Sequence, residues 1–431
     1  MDPRTSGTHD RPTLPDLAWR QAKPVTRSVA ILRGVHNLWR GLLRVLGRRP
    51  TQQSACTILV TGASTGLGLE IAKLLLPTRH RLVLTARASS LHRFAESGIL
   101  DGDRVMIHVL DVTSELERIA VVEAAQERFG GIDVLVNNAA LSYRAVVEHV
   151  TNEEGAAQMD ANFFGPMALV RLVLPHMRER RFGRIVNISS VGGMTAMPTM
   201  AMYSASKFAL EGASEALWYE VRPWGINVSL VQPGFINSDA FTKVYFTDGG
   251  LCSLSDPKDP YHRHYFNMNE MIEALMTLTF HRTEDVAETV VRTIERKNPP
   301  LRITATWDAA IFGMLRRWLP QRLYQRLLYV GLPRVWEWGD WRGDEAASLK
   351  ENPMTPADVP ERETELPSIT MQIYRSPLAP RDTLAPRLPF ATEPDTHHDV
   401  APEISRRETF KPWQEEPSIS NTNGSEARSK K

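Results

Sequence analysis

Residues 57–76 read TILVTGASTGLGLEIAKLLL: a four-residue aliphatic and β-branched run, a turn holding three glycines, and an apolar helical stretch. So short and continuous an apolar run fits a buried strand, and after the turn the pattern lengthens to that of a helix. Between them, Gly62, Gly66 and Gly68 let the backbone turn sharply, approach a pyrophosphate and pack the helix close to the sheet. The helix N-terminus then offers free N–H groups and positive potential to phosphates. A glycine-rich turn alone is common, but one set between a strand and a helix points to a dinucleotide.

Towards the C-terminus the alternation continues. Strands are expected at 81–85, 105–110, 133–136, 184–188 and 227–231, and helices at 116–129, 156–180 and 203–220. Strands alternating with helices of this length describe an α/β fold with a single doubly wound parallel sheet, the Rossmann arrangement. The domain so defined covers 51–300. It includes an excursion at 236–282, rich in aromatics, Met and Gly, that is read as a substrate lid. A helix over 283–297 carries acids in its first turn and bases in its last, matching the macrodipole.

The flanks differ in character. Residues 1–26 are polar and Pro-dotted and are expected to be disordered. Residues 27–50 form an amphipathic basic helix, with Ile31, Val35, Leu38, Leu42 and Leu46 opposite Arg33, Arg40 and Arg44. Residues 301–339 are an amphipathic, aromatic and basic extension, and 340–431, with twelve prolines, a disordered tail. Trp307, Trp318, Trp336 and Trp338, interleaved with Arg316, Arg317, Arg322, Arg326 and Arg334, suggest peripheral contact with a membrane surface. Packing on the domain or on a second subunit is the alternative.

Composition narrows the classes further. A formal net charge of +1 gives no reason to expect a nucleic-acid partner, and the basic stretches coincide with apolar faces rather than recognition motifs. The two cysteines, Cys56 and Cys252, lie in no CxxC and near no His cluster, so a metal site is not expected. No apolar run approaches the ~20 residues a spanning helix needs, and the first 25 residues lack a signal-like apolar region. The expectation is a cytoplasmic protein that touches, without crossing, a membrane.

The chemistry is carried by YSASK at 203–207. Tyr203 and Lys207 are one helical turn apart on one face, where an ammonium favours the phenolate and makes the phenol a usable proton shuttle. Such a pair alone is common on surface helices; its company decides. Upstream, the second strand ends in Arg87, with no Asp or Glu between Arg81 and Arg93. An acid there would repel a 2′-phosphate, whereas a guanidinium binds one, so NADP(H) is expected ahead of NAD(H). Asp111, closing the third strand, is placed either to accept from an adenine amino group or to cap the next helix.

Taken together these motifs resemble the short-chain dehydrogenase/reductase family. TGxxxGxG stands at 61–68, Asn-Asn-Ala at 137–139, a helical Asn at Asn162, Ser190 thirteen residues before Tyr203, YxxxK at 203–207, and Pro-Gly at Pro233 and Gly234. The resemblance covers about 57–300, and more weakly extends to about 335. It implies that Tyr203 exchanges the substrate proton, Lys207 binds the nicotinamide ribose and lowers the Tyr203 pKa, Ser190 bonds the substrate oxygen, and Asn162 holds a relay water. Ser189 is the rival to Ser190, which the spacing favours. The resemblance also places Gly62, Ser64, Thr65, Gly66, Leu67, Gly68, Arg87, Asp111, Val112, Asn138, Pro233 and Gly234 around the cofactor, with Asn137 in support.

Two positions depart from the family pattern: Ala140 stands for the usual Gly, and Ser238 for a Thr after Pro-Gly. The run 189–212 is most like hydroxysteroid and retinol dehydrogenases, which implies a small-molecule substrate that is a bulky apolar alcohol, ketone or aldehyde. Phe235, Ile236, Phe241, Val244, Tyr245 and Phe246 either line an apolar pocket or belong to the core. Family members are often dimers or tetramers, so a homo-oligomer is implied. The rivals are a nucleotide-sugar epimerase, which usually shows TGxxGxxG, and a catalytically silent dinucleotide-binding sensor or scaffold.

Overall fold

A computed structural model describes residues 55–236, 245–339 and 374–375. The expected disorder of 1–26, the helix at 27–50, most of the tail, and Ser238, Phe241 and Val244 lie outside these residues. In chain order the strands are β1 (Thr57–Val60), β2 (Arg81–Ala86), β3 (Val105–Val109), β4 (Val134–Asn137), β5 (Tyr143–Arg144), β6 (Gly183–Ile188), β7 (Ile226–Gln232), β8 (Tyr245–Phe246), β9 (Arg302–Thr304) and β10 (Tyr374–Arg375). The helices are α1 (Gly66–Leu75), α2 (His92–Glu96), α3 (Glu115–Phe129), α4 (Asn152–Met159), α5 (Gly165–Glu179), α6 (Ala201–Val221), α7 (Asp248–Ser255), α8 (His262–Leu278), α9 (Thr283–Glu295), α10 (Trp307–Trp318) and α11 (Gln321–Val330).

Every residue of β1 is fully buried, because both faces of its sheet are covered. Ile58 and Val60 point to one side, where they meet Ile71, Ala72 and Leu75 of α1 and Val286, Val290 and Ile294 of α9. Leu59 points to the other, against Val121 and Phe129 of α3, Leu169 and Val173 of α5 and Leu217 of α6. Alternation within an unbroken apolar strand is what a two-sided sheet requires. The sheet has seven parallel strands in the order β3-β2-β1-β4-β6-β7-β9. The chain builds outward from β1 in one direction, then from β4 in the other. The crevice at the C-terminal ends of β1 and β4 is therefore the switch point where such folds bind ligands.

Three local differences from the sequence expectations have physical causes. The helix expected over 156–180 starts at α4 instead, where a capping box fixes it: the Glu154 N–H donates to the Thr151 hydroxyl at 3.1 Å, and the Thr151 N–H to the Glu154 carboxylate at 3.0 Å. A π-helical turn at Asp160–Phe164 then separates α4 from α5. The boundary drawn at residue 300 also moves, since β9 is the seventh strand of the sheet and pairs with β7. Finally, the described residues of the lid hold two regular helices, α7 and α8. Phe246 packs with Leu254 and Tyr265, and Phe235 with Met268, Ile272, Val335 and Trp338, so both are core residues. Ile236 is buried in the main sheet cluster. Within the tail, Tyr374 and Arg375 pair with β8, which also pairs with β5.

Candidate active site

The glycine turn is fastened across the switch point by one threonine and one asparagine. The Thr61 hydroxyl oxygen accepts from the N–H groups of Asn138 (2.9 Å) and Ala139 (3.0 Å). In return, Asn138 Nδ2 donates to the carbonyls of Thr61 (2.9 Å) and Gly62 (3.2 Å). Gly62 and Gly66 take φ of +64° and +54°, which a side chain would strain. A Cβ on residue 68 would stand 2.2 Å from the Gly62 carbonyl oxygen, so only glycine lets α1 come this close. Thr65, the N-cap residue of α1, makes no side-chain cap, and no acid sits in the first turn. The first-turn amides thus face the crevice with the positive end of the helix behind them.

Opposite the turn, α6 presents Tyr203, Lys207 and Glu211 on one face, at i, i+4 and i+8. The loop after β6 lies directly on that face because it carries Gly192 and Gly193. A Cβ at 192 would reach 3.0 Å from the Tyr203 ring, and one at 193 would reach 2.7 Å from Ser189 Oγ and 3.1 Å from Glu211 Cγ. Ser190, at the head of this loop, hydrogen-bonds the Tyr203 phenol and accepts from the Gly192 N–H at 3.1 Å. Ser189 is buried with no partner for its hydroxyl among the described residues, so Ser190 is the serine that reaches the phenol. Lys207 Nζ is buried and donates to the Ile188 carbonyl at 2.9 Å. Glu211, also buried, accepts from Gln232 Nε2 (2.8 Å) and Arg302 Nε (3.0 Å).

These surroundings set the titrations. Burial pushes the Tyr203 phenol above its ordinary value, and the Ser190 hydrogen bond pulls it part of the way back. Burial also brings the Lys207 ammonium down to about 8, opposed by the Glu211 carboxylate, which favours the charged form. The expected lowering of the phenol by Lys207 is not found. The ammonium is engaged by Ile188 and lies 5.9 Å from the centroid of the Tyr203 ring, so desolvation dominates.

A glycine turn at the switch point and a Ser–Tyr–Lys group after β6 are what the sequence resemblance implies, and comparison with known proteins bears on the family. Residues 56–248 match the signature of short chain dehydrogenases. The 3-ketodihydrosphingosine reductase of Bacteroides thetaiotaomicron is 35% identical over 275 residues, covering 63% of this chain and 96% of that one. The chain is a short-chain dehydrogenase/reductase. The dehydrogenase/reductase SDR family member 7B of Xenopus tropicalis is 30% identical over 278 residues, covering 62% of this chain and 82% of its own length. A crystal structure of a short-chain dehydrogenase from Streptomyces avermitilis superposes with a TM-score of 0.55 at 28% identity, covering 69% of this chain and all of that one.

As a short-chain dehydrogenase/reductase the chain is an oxidoreductase of a family that binds a nicotinamide dinucleotide. The cradle fits that group: uncapped amides of Gly66, Leu67 and Gly68, a turn with no room for a Cβ, and Ser64 buried at its base. Arg87 stands exposed directly after β2. Asp111 makes an Asx turn, its Oδ1 accepting from the Thr113 N–H (2.9 Å) and hydroxyl (2.7 Å). It is not the helix cap: Ser114 caps α3 by accepting from the Glu117 N–H at 3.3 Å. Val112 is buried, and its carbonyl oxygen would lie 2.4 Å from a Cβ at Gly165. Asn137 works inside the sheet, donating to Asn187 Oδ1 at 2.8 Å.

Asn162 sits inside the π-helical turn. Its Oδ1 accepts from the Leu141 N–H (2.7 Å), while Nδ2 donates to the Leu141 carbonyl (2.8 Å) and the Ser206 hydroxyl (2.9 Å). Pro233 and Gly234 follow β7, and the start of α10 grips them. Thr306 Oγ1 accepts from the Gly234 N–H and Asp308 Oδ2 from the Phe235 N–H, each at 2.8 Å. Sequence reasoning missed Thr61, Glu211, Thr306 and Asp308. Glu211 was within reach, since it repeats the four-residue spacing of Tyr203 and Lys207. Thr306 and Asp308 contact residues more than seventy positions away and carry no local signal.

Proposed function

We propose that the chain uses NADPH to reduce the carbonyl of a bulky, lipid-like molecule to an alcohol, Tyr203 delivering the proton. One observation carries this: Tyr203, bonded to Ser190 just after β6 and backed by buried Lys207, belongs to the same C-terminal edge of the sheet as the uncapped amides of α1. Those amides would hold the pyrophosphate of the dinucleotide, whose nicotinamide would supply the hydride for the carbonyl carbon. Ser190 and Tyr203 offer their hydroxyls to the carbonyl oxygen, and the Tyr203 proton passes to that oxygen as negative charge develops. A phenol raised by burial keeps its proton at neutral pH and so holds the proton that a carbonyl reduction needs. Lys207, cationic below about pH 8, offers its ammonium to the hydroxyls of the nicotinamide ribose. Asn162 fixes the Leu141 backbone beside the site and keeps one Oδ1 lone pair for a relay water.

NADPH rather than NADH is supported by Arg87 at the end of β2 and by the lack of any acid between Arg81 and Arg93. An apolar substrate is supported by Met197, Met271, Leu275, Met276 and Phe312, which are partly buried around Phe235 beside the Pro-Gly loop. A ketone of the sphingosine class is supported by the name of the Bacteroides relative. The test is cofactor consumption by the full chain, with NADPH or NADH, on long-chain lipid ketones and on short water-soluble ones. NADPH oxidation with the long-chain ketones is expected. Tight NADPH binding without turnover of any ketone would overturn the proposal and favour the silent sensor.

A further inference from the structure

Helices α10 and α11 leave apolar stripes uncovered at helical spacing. On α10, Trp307, Ile311, Met314 and Trp318 recur at intervals of four, three and four residues, and all are exposed. On α11 the same holds for Leu323, Leu327 and Val330, while Tyr324 is the buried residue of that helix. Trp318, Val330 and Trp336 are 76%, 73% and 74% exposed, far beyond what a solvated surface helix usually shows of such side chains. The charge around the stripes has one sign. Residues 307–336 hold five arginines and one acid, and that acid, Asp308, is buried and bonded to the Phe235 N–H.

The five arginines divide by task. Arg316 donates to the Met194 carbonyl and lies over the Phe208 ring, and Arg334 is 3.7 Å from Glu270. Arg317, Arg322 and Arg326 are exposed and form no hydrogen bond or ion pair among the described residues. Arg322 and Arg326, one turn apart, flank a surface groove of about 420 Å³ that Gln325, Tyr329 and Val330 also line. Uncommitted guanidiniums beside exposed indoles and leucines fit one kind of partner: anionic headgroups for the arginines, and the acyl boundary for the apolar side chains. No helix among the described residues is long and apolar enough to cross a membrane, so contact is at the surface.

We propose that the α10–α11 face docks on an anionic lipid surface, with Arg317, Arg322 and Arg326 on headgroups and Trp318, Leu327 and Val330 in the interfacial layer. The same helices are tied to the reacting loops. Thr306 and Asp308 hold the Pro-Gly loop, Arg316 holds Met194, and the Tyr324 hydroxyl bonds Thr195 at 2.5 Å, five residues beyond Ser190. Docking therefore sets the loops that bear Ser190 and Pro233 close to the lipid. The proposal rests on the face alone and not on the identity of the substrate, so its test reads binding without catalysis.

The experiment is co-sedimentation of the full chain with phosphatidylcholine vesicles, and with the same vesicles containing phosphatidylserine, at low and high salt. The parent should bind the anionic vesicles at low salt and be released by salt. Replacing all three free arginines, Arg317→Gln, Arg322→Gln and Arg326→Gln, should weaken that binding about a hundred-fold. Trp318→Ser with Leu327→Ser should weaken binding to both vesicle types. These side chains are exposed, so both variants should melt with the parent. Parent-like binding by the arginine variant would hand the contact to the basic segment 27–50 and overturn the proposal. So would a change in oligomeric state of the Trp318/Leu327 variant without vesicles, which would make the face a contact between copies.

Discussion

Thr61→Val removes one hydroxyl and keeps the shape, and its cost can be worked from the two amides it serves. The N–H groups of Asn138 and Ala139 donate to that oxygen at 2.9 and 3.0 Å. Neither residue is fully buried, so each orphaned amide falls in the lower half of the usual 1–3 kcal/mol penalty, about 3 kcal/mol for the pair. In a domain of this size such a loss lowers the melting temperature by about 6–12 °C. The Asn138 side chain still holds the carbonyls of Thr61 and Gly62, so the turn loosens without opening, and NADPH affinity falls along with stability. Thr61→Ser keeps the acceptor and removes only one buried methyl, so it should cost about 1 kcal/mol. Thermal melts and NADPH titrations of both variants make the comparison. If the valine variant melts and binds like the serine one, the latch does not hold the cofactor turn.

Arg87→Asp should reverse the cofactor preference, because the new carboxylate repels a 2′-phosphate and accepts from a free ribose hydroxyl; equal affinities of the parent for NADPH and NADH would remove the basis for this. Glu211→Gln should move the alkaline fall of turnover to lower pH. The working form of Lys207 is the ammonium, present below its folded value of about 8 and lost as pH rises through it. The Glu211 carboxylate supports that ammonium, so deleting its charge brings the fall earlier, and an unmoved alkaline limb in the pH–rate profile would show that Glu211 does not set the charge of Lys207.

What could be read from the sequence was whatever a single segment specifies. β1 announced itself because a strand covered on both faces is aliphatic or β-branched at every position, and the turn after it because φ near +60° and a 2.2 Å contact leave glycine as the sole tenant. Tyr203 and Lys207 were legible from helical spacing. Start and stop signals were used unevenly: Thr151 and Glu154 form a capping box that marks the true start of α4, four residues before the expected one. The π-helical turn at Asp160–Phe164 had no readable sign, since one extra residue per turn leaves the apolar pattern nearly intact. The seventh strand was hidden by its length, three residues at the sheet edge with two of them exposed. The rise of the phenol above its ordinary value was beyond reach too. It depends on how deeply Tyr203 is buried and on Lys207 turning to Ile188, neither of which a spacing rule contains.

The central claim, that Tyr203 transfers the proton in a carbonyl reduction, is tested most directly by Tyr203→Phe. This change keeps the ring against Gly192 and removes only the hydroxyl bonded to Ser190. With saturating NADPH and whichever ketone the parent turns over, turnover should fall by at least about a hundred-fold, the scale of general acid catalysis. NADPH affinity should be nearly unchanged, because the amides of α1 and the latch at Thr61 are untouched. Turnover by the phenylalanine variant at the parent's rate would contradict the account.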